Sequence, residues 1–320
     1  MNKFINYFFV AAMFFSVAIL TSCDDIIDDE CDDVYLVTEI LSVREWGELR
    51  FSFEYDDQNR ITKIIYHEVW DRGSDTWSQT LRYNSAGDLI SITHDNGDVE
   101  TFTRTGNIIT RRAPMWEESG RVYSETFELN AQGLLGKFTF DETYDSGSWW
   151  KGIMTFQYQG RNVVESTLEM EEFFEEYRSE MVTATVTYDD KKSPFYHSNT
   201  PQWFLLSEFF LYGTHNNVKT INSIRSREDE IWSHTTTFVY TYNDAGFPIS
   251  RTATVRWSGY EDGEFFEGEE VYTETFRYGS APVTSARAGI SPSRANVCTD
   301  SPRTMRRDPF GRRVENRRGR

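Results

Sequence analysis

Apolar and polar side chains alternate in short runs through residues 34–279. Phe51, Phe53 and Tyr55 are interleaved with Ser52 and Glu54, and Phe156 and Tyr158 with Thr155 and Gln157. Val182, Ala184, Val186 and Tyr188 alternate with Thr183, Thr185 and Thr187; Phe238, Tyr240 and Tyr242 flank Thr237 and Thr241. A period of two puts the two sets on opposite faces of a strand. The runs end in a recurring turn: an aromatic or Leu, a polar stretch, a Gly or Asn, then a new strand. YNDAGFPISR (242–251) is its fullest form, and YNSAGDLISI (83–92), YDDQNRITKI (55–64), LNAQGLLGKF (129–138) and YQGRNVVES (158–166) keep its shape. YDDKKSPFY (188–196) keeps the first half. Gly87, Gly133 and Gly246 supply the positive φ such a turn needs, and Asn59 tolerates it.

A second set of turns alternates with the first: DRGSD (71–75), DNGD (95–98), EESGR (117–121), YDSGS (144–148) and EDGE (261–264). Together they cut the region into about 14–16 strands of an all-β, antiparallel up-and-down meander. So many strands do not stay flat; the sheet curls into a large barrel, closed or open. The stretch PQWFLLSEFFLYG (201–213) breaks the alternation. Trp203, Phe204, Leu206, Phe210 and Leu211 share one broad side of a short helix there, expected as a plug in the barrel end. The apolar runs are short, and Glu125 and Glu274 interrupt the aromatic face. That favours a barrel in water over one spanning a membrane, whose lipid face excludes charge.

Both termini differ from this region. Lys3 precedes an apolar run from Phe8 to Leu20, then Leu20-Thr21-Ser22-Cys23, the layout of a secretory signal; a membrane anchor helix is the alternative. DDIIDDECDD (24–33) has the composition of an extended, solvated tether. Residues 280–320 hold ten Arg, no Lys, three acidic residues and one aromatic, Phe310. The tail is thus +7, leaving −25 on residues 1–279 of the −18 total. Its composition offers no core, so it is expected to be disordered. Cys31 and Cys298 show no metal or redox spacing.

The LTSC string resembles the lipobox of bacterial lipoproteins, which implies diacylation of Cys23 and removal of residues 1–22. The acidic stretch behind it resembles the surface-export signal of Bacteroidetes lipoproteins. Tyr55-Asp56, Tyr83-Asn84, Tyr188-Asp189 and Tyr242-Asn243 carry a motif similar to the YD repeats of Rhs-type proteins. Taken whole, the chain resembles Bacteroidetes lipoproteins of unknown function with a porin-like fold. The resemblance implies an outer-membrane lipoprotein, surface-exposed or facing the periplasm, and transfers no functional residue.

Chemistry is harder to find. The five His are scattered, and there is no nucleophile elbow, phosphate loop or H-E-x-x-H string. Carboxylate pairs such as Asp71 and Asp75 could serve a glycosidase, but 51 acidic residues make chance pairs common. DNGD and EDGE could hold calcium or be ordinary turns. No cofactor, metal or nucleic-acid partner is expected, and no reaction. The Trp residues are the better clue: Trp70, Trp77, Trp116, Trp149, Trp150 and Trp257 flank the second set of turns, with Trp232 beside a related bend at 227–230. One end of the barrel should therefore be aromatic and acidic, equipped to bind a glycan or another envelope component. The alternatives are cross-strand locking of hairpins by the same rings, in a structural or assembly lipoprotein, and a hydrolase.

Overall fold

The alternating runs form sixteen antiparallel strands in the computed structural model. The structure describes residues 34–113, 121–144, 146–173, 177–209, 213–227, 230–261 and 264–280. The first eight strands are β1 Tyr35–Arg44, β2 Gly47–Tyr55, β3 Ile61–Trp70, β4 Gly73–Tyr83, β5 Leu89–His94, β6 Val99–Thr105, β7 Ile108–Arg112 and β8 Arg121–Leu129. They continue as β9 Leu135–Tyr144, β10 Trp149–Gln159, β11 Asn162–Phe173 and β12 Tyr177–Lys192. After one helix, α1 Gln202–Glu208, come β13 Asn216–Arg227, β14 Glu230–Tyr242, β15 Pro248–Glu261 and β16 Glu264–Ser280. Each strand pairs with its sequence neighbours, and β1 pairs with β16, Ile40 opposite Phe276, so the barrel is closed.

The repeated motif has a physical basis at each position. Its Asp or Asn folds back on the turn: Asp56 Oδ1 accepts from the amides of Gln58 and Arg60, Asn84 Oδ1 from Ala86 and Asp88, Asn243 Oδ1 from Ala245 and Phe247. Three residues on, the chain needs a left-handed conformation, and Asn59, Gly87, Gly133 and Gly246 provide it at φ 62°, 88°, 76° and 80°. A bulge sits at each of these turns, so that Tyr55 faces Ile61 and Tyr83 faces Leu89 out of ladder register. The motif tyrosines point inward. The hydroxyl of Tyr242 donates to Asp189, while those of the motif's Tyr55, Tyr83, Tyr158 and Tyr188, and of Tyr240 and Tyr278 outside it, donate to the carbonyls of Val37, Ile61, Leu135, Val163, Val218 and Pro248 at 2.6–2.9 Å. Each bond to a carbonyl ties the two outer ends of one hairpin together. Where Leu129 replaces the Tyr, the Asn107 side chain donates to the Leu129 carbonyl instead, at 3.0 Å.

The connection between β12 and β13 closes this end of the barrel. Helix α1 is shorter than the stretch from 201 to 213 that lacks alternation. Trp203, Phe204, Leu205 and Leu206 are all buried, and Phe209 beyond the helix packs edge-on against Phe51 and Phe53. Each such side chain contributes roughly 1.5–3 kcal/mol by leaving water. The same segment satisfies amides at strand starts. Thr200 Oγ1 accepts from Ile61 N at 2.8 Å, and His197 Nδ1 from Tyr35 N at 3.0 Å.

The ladder registers sort the walls. Phe51, Tyr66, Leu81, Ile92, Phe127, Phe138, Val186, Phe238 and Phe276 line the inside. Outside, the strands present Thr and Ser with Arg50, Lys63, Arg82, Lys137, Asp141, Lys151 and Arg256. Exposed apolar side chains, among them Val122, Ile224, Ile231, Val239 and Val271, share this wall with the charges. No helix among the described residues is long and apolar enough to cross a membrane. Residues 1–33 with Cys23 and the acidic tether, Trp116, Phe210, Leu211 and the tail from 281 lie outside the described residues.

Candidate functional site

The plug leaves the opposite end of the barrel, at the second set of turns, with a different lining. Ring after ring there belongs to Trp, and the registers decide which way each one points. Trp77 pairs with inward Tyr66 and stacks on it, centroids 5.1 Å apart and planes 5° from parallel. Trp70 lies on the inner face of the same strand as Tyr66 and is 39 % exposed. Trp150 is opposite Glu142 and Glu172 on the inner wall, its ring 4.8 Å from Phe140; its buried Nε1 has no hydrogen-bond partner among the described residues. Trp257 faces inward opposite His234 and Gly268.

Trp149 does not join them. As the neighbour of Trp150 on one strand it faces outward, against Phe173 and Tyr177 at 6.4 Å, with Lys151 Nζ 4.8 Å from its ring. The expected cluster at the hairpin tips is thus split. Trp70, Trp77, Trp150 and Trp257 share the inner wall; Trp149 belongs to an outer aromatic patch. That patch adjoins an outer groove of 560 Å³ lined in part by Lys151, Ile153, Glu169, Glu171 and Met181. Trp232, named in the sequence only for its place beside a bend, lies on the inner wall opposite Gly259.

Charges on the inner wall come in pairs. Arg225 meets Glu180 at 2.7 Å, Arg227 meets Glu172 at 2.9 Å, and Arg44 lies 3.7 Å from Glu270 with its guanidinium over Tyr272. Arg251 and Glu274 form a fully buried pair under Phe238. A larger network fills the wall of β5–β8 beside the plug. His94 Nε2 lies 3.0 Å from Glu100, Arg111 Nε donates to Glu100 at 2.9 Å, Arg111 Nη1 donates to Glu125 at 2.7 Å, and the Tyr123 hydroxyl donates to Glu125. Glu208, on the last turn of α1, faces this network. Burial pushes its carboxyl pKa up; Arg111 opposes the rise, and Glu100 and Glu125 add to it.

These inward groups were out of reach of the sequence pattern, because an inward Glu or Arg looks like any alternating polar residue. One signal was present: Gly152, Gly259 and Gly268 stand inside strands, away from turns, where Gly marks a close approach. DNGD forms an ordinary hairpin turn closed by its own side chains, Asn96 Oδ1 accepting from Asp98 N at 3.0 Å. Gly87, Gly133 and Gly246 serve turns at the plugged end.

Among solved structures, the chain is similar to a porin-like protein from Bacteroides uniformis ATCC 8492, at TM-score 0.50 and 18% identity, over 77% of this chain and 98% of that one. A porin-like protein from Bacteroides vulgatus ATCC 8482 is matched over 77% of this chain and 99% of that one, at 10% identity and TM-score 0.33. No family model and no curated protein matches. The first likeness shows a shared barrel fold.

Proposed function

We propose that this is a lipid-anchored protein of the bacterial outer membrane, exposed at the surface, that binds a glycan or another envelope component in the unplugged end of its barrel. One observation carries the proposal: the inner wall at that end holds Trp70, Trp77, Trp150, Trp232 and Trp257 among paired Arg and Glu side chains. Indoles beside fixed polar groups suit ligands with flat apolar faces and many hydroxyls. The lipid sits on Cys23 after loss of residues 1–22, and residues 23–33 form the tether. The first strand starts at Tyr35, on the plugged end, so the tether would hold that end toward the membrane and leave the aromatic end facing outward.

The barrel acts as a binding module rather than an enzyme in this reading. Glu100 and Glu125 are both held by Arg111, at 2.7 Å each. Among the described residues Glu208 is the carboxyl whose pKa burial pushes up, so a hydrolase would lose turnover on Glu208→Gln. Two measurements test the proposal. The full-length chain should pellet with membranes and Cys23→Ala should not, and the wild type should retain material from an envelope extract. A wild type that is soluble, or that retains nothing, overturns it.

A further inference from the structure

Two indoles on the inner wall lie against glycine. Trp232 on β14 is opposite Gly259 on β15, and Trp257 on β15 is opposite Gly268 on β16. A Cβ on Gly259 would fall 2.4 Å from the Trp232 ring, and one on Gly268 would fall 2.3 Å from the Trp257 ring. Each indole therefore rests on the bare backbone of the next strand, in space that any other residue would fill. A ring laid on the wall in this way turns its second face to the lumen. Phe266, opposite Gly259 and 43 % exposed, extends the surface, its ring 6.3 Å from Trp232 and 22° from parallel.

A locking role alone does not account for this arrangement. On the far wall Phe140 sits over Gly152 in the same way, but Trp150 covers it at 4.8 Å, and Phe140 is buried. Trp232 has only the offset Phe266 ring beside it, Trp257 has no ring contact among the described residues, and both are partly exposed. Strand spacing places the Cα atoms of the two residues about 8 Å apart, two residues along and one strand across. Glu270, two residues along β16 from Gly268, pairs with Arg44 at 3.7 Å.

We infer that Trp232 and Trp257, laid flat by Gly259 and Gly268, form a stacking platform for a saccharide chain of at least two pyranose rings. The inference rests on the binding-module reading and names its ligand class and contact surface. Pyranose rings present a flat face of C–H bonds to an indole, while their hydroxyls reach neighbouring charged groups. Gly259 and Gly268 are positioning residues: they touch no ligand and set the tilt of the rings that do.

The test uses the full-length chain and an array of glucose-, mannose-, galactose- and N-acetylglucosamine-based oligosaccharides, with tryptophan fluorescence as a second readout. Gly268→Ala, which removes no contacting side chain and whose added Cβ meets the Trp257 indole first, should weaken binding by about tenfold, as should Trp232→Ala. Trp257→Phe should lose less, and Thr252→Ala on the outer wall should bind as the wild type. Circular dichroism and Tm establish that each variant is folded. If the wild type binds a saccharide and folded Gly268→Ala and Trp232→Ala bind it equally well, the platform is wrong and the binding module stands. If the wild type ignores the array but retains an envelope protein, the saccharide class is overturned alone. Binding neither overturns both.

Discussion

The Tyr83 hydroxyl donates to the Ile61 carbonyl at 2.7 Å, across the plugged end of the hairpin formed by β3 and β4. The same bond recurs in five other hairpins, from the motif tyrosines Tyr55, Tyr158 and Tyr188 and from Tyr240 and Tyr278. Tyr83→Phe should lose one buried hydrogen bond and leave the carbonyl unsatisfied, costing about 1–2 kcal/mol. Tyr278→Phe, on the far side of the repeat series, should cost the same, and the two should add. Denaturant unfolding measures both; an unchanged midpoint for each would mean that the hydroxyls are incidental.

Alkali should unfold the barrel through these same groups. Burial holds Tyr158 and Tyr240 near 12, above the ordinary value of 10, and pushes Tyr55, Tyr83, Tyr188 and Tyr278 up as well. The folded state thus keeps protons that the unfolded chain releases. Their contribution is fully present below pH 10 and is lost as pH rises through the folded values near 12. Tyrosinate absorbance should appear together with unfolding. Free titration of all tyrosines near pH 10 with the fold intact would contradict this.

Gly246 adopts φ 80°, and a Cβ there would touch only Lys191 at 3.9 Å. The cost of a side chain is therefore conformational rather than steric. Gly246→Val should destabilise by about 1–2 kcal/mol. Gly246→Asn should cost clearly less, because Asn59 already occupies the matching position of another turn at φ 62°. Equal losses for Val and Asn would mean that crowding, not φ, sets the penalty.

Glu208 predicts a pH dependence of its own. Its folded pKa is raised above the ordinary 4.5, so the stability tied to its proton is complete below that value and is lost as pH climbs through the folded pKa. Glu208→Gln removes the loss. Relative to wild type, the variant should gain stability at neutral pH compared with acid pH. A difference that does not change with pH would place Glu208 in water.

The sequence reveals much of this fold because turn chemistry and period-two alternation are local. Asn243, Gly246 and the aromatic Tyr242 announce their turn wherever they stand, and Pro201 announces the break before α1. Facing is only half local. Trp149 and Trp150 had to point opposite ways, but which of them meets the lumen depends on the register with β9 and β11. The Arg–Glu pairs and the indoles over glycine are cross-strand relations, set only when distant hairpins align. Glu208 carries no sequence mark at all, since its environment comes from β6 to β8.

The inner wall and the outer wall can be compared directly at Trp149 and Trp150, adjacent residues with rings on opposite sides of one strand. The most direct measurement is retention of envelope material by Trp150→Phe and Trp149→Ala, each verified as folded by its near-ultraviolet circular dichroism. Binding inside the barrel predicts that Trp150→Phe weakens retention by about tenfold and Trp149→Ala leaves it unchanged. Loss on Trp149→Ala with retention intact in Trp150→Phe would contradict it and move the binding surface to the outer wall.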